Sequence, residues 1–248
     1  MDKIAIEIKD LRKDYGDVIA IEHLDLDVAE GETFGLLGPN GAGKSTTINI
    51  LCGLLEPTKG SVRVGGYDVK TEPGKIKKLI GVCPQEMGVF PYLTGRENIE
   101  FFGNMNAVPK KELKSRVEKL LEKLSLTEDA DRRVKTYSGG MKRRISLVMT
   151  LVSDPKIAFL DEPTTGMDPQ SRRAVWEFLK ELGGDSRTII LTTHYMEEAE
   201  YLCDRVGIID HGKLIALGKP SDLMREHNVA NLEEVFLKLT GRRIKEAA

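Results

Sequence analysis

The segment Gly38-Pro39-Asn40-Gly41-Ala42-Gly43-Lys44-Ser45 constrains this chain more than any other, because of what flanks it. Ahead of it runs Thr33-Phe34-Gly35-Leu36-Leu37, short and almost wholly apolar, as expected of a central parallel strand covered on both faces. Behind it the residues from Thr46 to Leu51 follow a helical pattern. A strand, a glycine-rich turn and a helix that opens on lysine and a hydroxyl form the P-loop arrangement. Each residue type has a task there. Glycines let backbone N–H groups converge on phosphate oxygens, and the helix N-terminus adds the positive end of its dipole. Lys44 would neutralise β- and γ-phosphate charge, and Ser45 would offer a hydroxyl to Mg²⁺.

Two further apolar runs, Ile157-Ala158-Phe159-Leu160 and Thr188-Ile189-Ile190-Leu191, also precede helical patterns and predict parallel strands. Ile4 to Lys9 and Leu24 to Val28 instead alternate apolar and polar residues, the pattern of half-buried antiparallel strands. Between Pro84 and Ser153 the texture changes: Leu113, Val117, Leu120, Leu121 and Leu124 recur at helical spacing without intervening strand runs. Arg205 to Asp210 and Lys213 to Leu217 predict a last strand pair, joined at His211-Gly212. The expected fold is α/β: a P-loop NTPase core with a mixed sheet, an N-terminal antiparallel β subdomain and an inserted helical subdomain. Residues 1–83 and 154–218 are assigned to the core with its β subdomain, 84–153 to the helical insert, and 219–248 to a helical tail.

Composition narrows the partners. Among 248 residues, 37 Lys and Arg nearly cancel 39 Asp and Glu, and no tail concentrates one sign. Nothing in that balance marks a nucleic-acid or anionic-lipid surface. Cys52, Cys83 and Cys203 are odd in number and far apart, which argues against a disulfide framework or a zinc site and fits a reducing cytosol. The chain opens directly into a strand pattern, with no apolar leader and no run near the ~20 apolar residues of a membrane span. Any service to a membrane is expected from the water side.

Leu160-Asp161-Glu162-Pro163 closes an apolar strand on two carboxylates. Strand alternation would aim them to opposite sides, so that Asp161 reaches the Mg²⁺ shell while Glu162 faces the γ-phosphate and polarises the attacking water. Between the P-loop and this pair stands Tyr137-Ser138-Gly139-Gly140-Met141-Lys142-Arg143-Arg144, which resembles the signature motif of ATP-binding-cassette (ABC) ATPases. The resemblance then covers nearly the whole chain. Tyr15 matches the family's adenine-stacking aromatic, Gln85 its glutamine loop, Gly166-Met167-Asp168 its aspartate-bearing loop and His194 its histidine after a strand.

The resemblance implies a set of roles. Tyr15 would stack on ATP; Gly38, Pro39, Asn40, Gly41, Ala42, Gly43, Lys44, Ser45 and Thr46 would wrap its phosphates. Ser45, Gln85 and Asp161 would hold Mg²⁺. Glu162 would direct the water, aided by Lys44, Gln85 and His194. Ser138, Gly139 and Gly140 would complete the site of a second subunit, near Asp168, in a head-to-tail dimer of like or paralogous chains. His23, His211 and His227 carry no such match.

Met87-Gly88-Val89-Phe90-Pro91-Tyr92-Leu93 is apolar for a surface loop, and by composition alone it fits core packing equally well. The family pattern favours docking of a transmembrane permease subunit near Gln85 and Phe90, with the chain peripheral on the cytoplasmic face. Tyr137 and Met141 stand where the family usually has leucine and glutamine, so a side-chain amide contact is lost while the hydroxyl and both glycines remain. Those substitutions, and the tail Asn231 to Gly241, are similar to the branch serving drug, lipid and polysaccharide exporters. The chain also stops before an importer-type regulatory domain, and export is therefore expected over import. The alternative is a soluble ABC ATPase acting on a partner such as an iron–sulfur assembly complex. Chromosome-maintenance and two-cassette translation relatives are disfavoured by the missing coiled-coil insertion and second cassette, and a GTPase by the lack of Asn-Lys-x-Asp.

Overall fold

Alternating and continuous apolar patterns become two kinds of strand in a single sheet. The computed structural model describes residues 3–184 and 187–242. Strands β1 (Ile4–Tyr15) and β2 (Val18–Ala29) form an antiparallel hairpin, each burying one face. They are longer than the alternation predicts. A register shift between Ile8 and Leu11, with Asp10 at φ 48°, throws the pattern out of phase and pairing resumes beyond it. An irregularity of this kind reads in sequence as the end of a strand.

β3 (Thr33–Leu37) is buried at every residue and leads through the P-loop into α1 (Lys44–Leu51). β4 (Lys59–Val64), β5 (Tyr67–Asp68), the short α2 (Pro73–Ile76) and β6 (Ile80–Cys83) follow. Three helices then intervene before the next strand: α3 (Gly95–Met105), α4 (Lys110–Lys123) and α5 (Gly139–Leu151). β7 (Ile157–Asp161), α6 (Pro169–Gly184), β8 (Thr188–Thr193), α7 (Met196–Leu202), β9 (Arg205–Asp210), β10 (Lys213–Gly218), α8 (Pro220–Glu226) and α9 (Leu232–Thr240) complete the chain. The strand order is β5-β4-β1-β2-β10-β9-β3-β8-β7-β6.

From β9 to β6 every pairing is parallel, so the loops that leave β3, β6, β7 and β8 emerge at one edge, where open α/β sheets bind ligands. The antiparallel hairpin continues this sheet through a parallel bridge between His23 of β2 and Lys213 of β10. The β9–β10 turn has positive φ at His211 and Gly212, as a tight hairpin of this twist requires.

The helical segment starts on a capping box between Thr94 and Glu97, and α3 meets α4 closely at Gly103, where a Cβ would come 2.2 Å from Leu113. Its apolar residues Val117, Leu121 and Ile145 belong to the same buried cluster as Leu160 of β7 and Trp176 of α6. The helical segment and this part of the sheet therefore share one core. Among the described residues no helix is long and apolar enough to cross a membrane.

Candidate functional site

Close backbone approach shapes the loop after β3. A Cβ on Gly38 would lie 2.2 Å from the Ile209 carbonyl oxygen, and one on Gly43, at φ 107°, would lie 2.6 Å from that of Ala20. Only glycine admits both contacts. Gly43 then opens α1 without a side-chain cap, which leaves the first helical amides to a ligand.

Lys44 is 5% exposed and folds back over the loop. Its Nζ donates to the carbonyls of Gly38 at 2.8 Å and Pro39 at 3.2 Å, and stands 3.7 Å from Glu162 Oε1. Burial pushes this ammonium below the ordinary lysine range, against the pull of Glu162 and Asp161.

β7 ends at Asp161, and the pleat ends with it. The alternation argument extends one residue too far: Glu162 has φ 50°, and the amide of Thr165 donates back to its carbonyl at 3.3 Å. A left-handed turn, rather than the alternation of a strand, separates the two carboxylates. The surroundings over-determine this costly conformation. The Glu162 amide points at both the carbonyl and the hydroxyl of Thr192, each at 3.1 Å. Thr192 sits beside Asp161 in the β7–β8 register, and its hydroxyl donates to the Asp161 carboxylate.

Four side chains surround the Glu162 carboxylate. Lys44 and His194 Nδ1 (3.3 Å) approach Oε1; Gln85 Nε2 at 3.4 Å and Thr165 Oγ1 at 3.1 Å donate to Oε2. Burial alone would raise this carboxyl, but His194, Lys44 and Thr165 outweigh it and hold it below the ordinary glutamate range. It is an anion at neutral pH. His194 Nδ1 is in ion-pair range without hydrogen-bond alignment, so this buried nitrogen has no hydrogen-bond partner.

Ala20, Asn40, Gly41, Gly43, Lys44, Ser45, Thr46, Gln85 and Glu162 line a cleft of about 230 Å³ beside these groups. A larger groove of about 580 Å³ lies at the opposite strand ends, where Arg187 is already committed to Asp154 and the Pro155 carbonyl.

The remaining sequence-derived residues stand apart from the cleft lining. Tyr15 is half exposed at the end of β1, with Lys13 Nζ 5.1 Å from its ring centroid. Ser138 caps α5, accepting from the Met141 amide at 3.2 Å, and a Cβ on Gly139 would meet nothing within 4 Å. Asp168 caps α6 through the Ser171 amide at 2.9 Å, and those hydrogen bonds lower its pKa. The apolar loop lies at the surface: Tyr92 is 74% exposed, and Phe90 packs edge-on against Phe101 at 5.1 Å.

Sequence reasoning missed the residues that hold these groups. Fully buried Asn98 pins the apolar loop by bonding the Phe90 amide and carbonyl. Thr192 and Thr165 orient the carboxylates, Ala20 of β2 closes one wall, and Arg143 gathers the loops beneath them. Two of these left a trace: Thr192 as a polar residue ending an apolar strand, and Arg143 within the basic run after the signature.

The comparisons with known proteins agree on where the chain belongs. Residues 21–165 match the family model described as ABC transporter. The chain is 45% identical to the linearmycin resistance ATP-binding protein LnrL of Bacillus subtilis (strain 168), across 94% of this chain and 77% of that protein. It is 44% identical to a Nod factor export ATP-binding protein I from Rhizobium sp. (strain N33), across 95% and 78%. A dimeric ATP-binding cassette in a post-hydrolysis state, bound to ADP and Pi, superposes with a TM-score of 0.78 at 26% identity, covering 86% of this chain and 98% of that one. With a family match over the P-loop and the carboxylate strand, and relatives similar along almost its whole length, this chain belongs to the ABC transporter family as an ATP-binding, ATP-hydrolysing subunit.

Proposed function

We propose that two copies of this chain, or one copy and a paralogue, close head to tail around two Mg-ATP molecules and reopen on hydrolysis, driving export through membrane permease subunits. The observation that carries the reading is the Glu162 carboxylate, kept ionised between Lys44, Gln85, Thr165 and His194 at the rim of the P-loop cleft. An anion so held can orient a water and accept its proton, which is most of what phosphoryl transfer asks beyond charge neutralisation.

Lys44 and the amides at the start of α1 bind the phosphates, and Tyr15 stacks on the adenine. The His194 ring approaches the γ-phosphate beside Glu162. Ser45, Asp161 and Gln85 are oxygen donors of the kind Mg²⁺ accepts when phosphates and waters supply its other ligands, and they would hold it. Held there, Mg²⁺ would offset phosphate charge as it develops during phosphoryl transfer.

Ser138, Gly139, Gly140 and Asp168 act on the partner's nucleotide. The exposure of Ser138, Gly139 and Asp168, the separation of all four from this chain's own cleft and the dimeric, ADP-bound relative support that assignment. The aromatic patch around Phe90, next to Gln85, receives the permease on the cytoplasmic face. Relatives named for export and resistance support the direction and leave the soluble iron–sulfur alternative without favour.

The test is Glu162→Gln, with ATP affinity, turnover and copurifying proteins measured together. ATP binding should persist, turnover should fall roughly 10²–10⁴-fold, and a polytopic membrane protein should copurify from detergent extracts. Near-normal turnover removes Glu162 from its role; a soluble partner with no membrane subunit overturns the transport reading.

A further inference from the structure

Arg143 lies just over one turn into α5, is 3% exposed, and makes no salt bridge among the described residues. Its guanidinium instead donates to five backbone carbonyls. Nε reaches Pro163 at 3.1 Å; one terminal nitrogen reaches Pro84 at 2.6 Å and Gln85 at 3.0 Å; the other reaches Asp161, and Glu162 at 2.7 Å. A guanidinium carries five N–H groups in a rigid plane, so each is matched to one acceptor.

Four of these carbonyls lie in two loops, the one after β6 and the one after β7, and the fifth belongs to Asp161, the last residue of β7. The Glu162 carbonyl also accepts from the Thr165 amide, so Arg143 adds to the turn that already closes there. The two loops carry Gln85 and Glu162, whose side chains meet at 3.4 Å. The helix that bears Arg143 begins at Ser138.

We propose that Arg143 is a positioning residue that ties the start of the signature helix to the Gln85 and Glu162 turns, so that an occupant at Ser138–Gly140 sets the geometry of this subunit's own hydrolytic site. The inference rests on the roles given above to Glu162, Gln85 and the signature loop. Ser138 and Arg143 are five residues apart, about 7 Å of helix rise, and α5 is continuous between them. An axial shift of the helix start therefore arrives at five carbonyls together. Glu162 is held in its left-handed turn by its amide on one side and by Arg143 at its carbonyl on the other. Loosening the second restraint turns the carboxylate relative to the γ-phosphate while leaving the P-loop intact. Hence ATP binding and hydrolysis should separate.

The experiment compares Arg143→Lys, which keeps the charge and loses the planar fork, with Arg143→Gln and the unmodified protein, with folding verified by thermal melts. ATP KM should stay within about 3-fold while kcat falls on the order of 100-fold, the usual cost of misplacing a reacting group by about 1 Å. The Hill coefficient for ATP should drop to one, a change that simple loss of stability does not produce. Unchanged kcat in folded Arg143→Lys overturns the proposal, as does a loss confined to KM. Hydrogen exchange on Glu162→Gln dimers with ATP asks the same of a chain with Arg143 in place. Amides of 85–87, 139–145 and 161–165 should gain protection as one unit, and independent opening of these segments overturns the coupling even if neither Arg143 variant folds. The Glu162→Gln turnover assay is the control. Retained turnover there removes the underlying reading, whereas lost turnover beside a fully active Arg143→Lys sinks the clamp alone.

Discussion

Helices α1 and α5 each have a glycine at their first turn, Gly43 as the cap of α1 and Gly139 just after the Ser138 cap of α5, and their surroundings are opposite. Before α1, Gly38 and Gly43 are pressed by the carbonyls of Ile209 and Ala20, and Lys44 is folded back onto the Gly38 and Pro39 carbonyls. Before α5, Ser138 and Gly139 are exposed, and no atom approaches within 4 Å of where a Gly139 side chain would begin. Each helix start leaves amides without intrahelical partners and carries the positive end of a dipole. The first is built into a pocket by its own chain. The second has its serine cap and open space. A phosphate loop walled by its own chain and a second helix start left exposed are the arrangement that the proposed head-to-tail closure calls for.

The largest test of that contrast sets Lys44→Ala against Gly139→Asp. Lys44→Ala removes the cation from the built pocket. ATP affinity of the isolated subunit should fall roughly 10–100-fold, as for loss of a charged hydrogen bond. Gly139→Asp introduces a carboxylate into open space, so the isolated subunit should fold and bind ATP within about 2-fold of normal. Its assembled form should lose turnover on the order of 100-fold, because a fixed negative charge faces the incoming phosphate. Equilibrium binding with a fluorescent nucleotide and a phosphate-release assay separate the two. Weakened ATP binding by monomeric Gly139→Asp would contradict completion of the site in trans.

A smaller effect compares alanine at the two glycines. Gly43→Ala forces a Cβ to 2.6 Å from a carbonyl at φ 107°, and should cost about 1–3 kcal/mol of stability. Gly139→Ala meets nothing and replaces a poor helix former, so stability should hold within about 0.5 kcal/mol or rise. Urea melts of the two variants measure the difference. Equal destabilisation would mean that the two helix starts are constrained alike.

What the sequence let one read, and what it hid, divides along similar lines. The P-loop, the central strands and the helical insert were legible because period and glycine spacing are local properties. Thr192 was not, because its task depends on β8 lying beside β7, and strand order is absent from any single window of sequence. The turn at Glu162 was hidden for a related reason: its left-handed backbone is enforced by Thr192 and Arg143, which lie 30 and 19 residues away in the chain. The overextended alternation at Glu162 and the underextended one at Asp10 are the same error. Period alone cannot say where a strand stops pairing. Arg143 stood in view among the basic residues after the signature, yet a run of Lys-Arg-Arg reads as a solvated face until burial is known.

The smallest expected effect sharpens the contrast between the hydrolytic edge and the helix layer behind it, through two buried glutamates. Glu162 is surrounded by Lys44, His194 and Thr165, and its carboxyl is held below the ordinary range. Glu198, fully buried on α7, accepts from the Thr164 hydroxyl at 2.7 Å and the Trp176 indole at 2.9 Å, and burial raises its carboxyl. The signs oppose. A carboxyl lowered in the folded state contributes stability that is present above its unfolded value and is lost as pH falls through the folded one. A raised one contributes stability that is present below its unfolded value and is lost as pH rises through the folded one. Thermal melts from acid to mildly alkaline pH should therefore show Glu162→Gln flattening the acid limb and Glu198→Gln flattening the decline on the other side. The Thr164 hydroxyl lies two residues beyond Glu162, so the Glu198 variant should also disturb turnover slightly while leaving the P-loop affinity unchanged. Parallel pH slopes in the two variants would show that both carboxyls sit in the same electrostatic environment, and that Lys44 and the side chains around Glu162 do not control its ionisation.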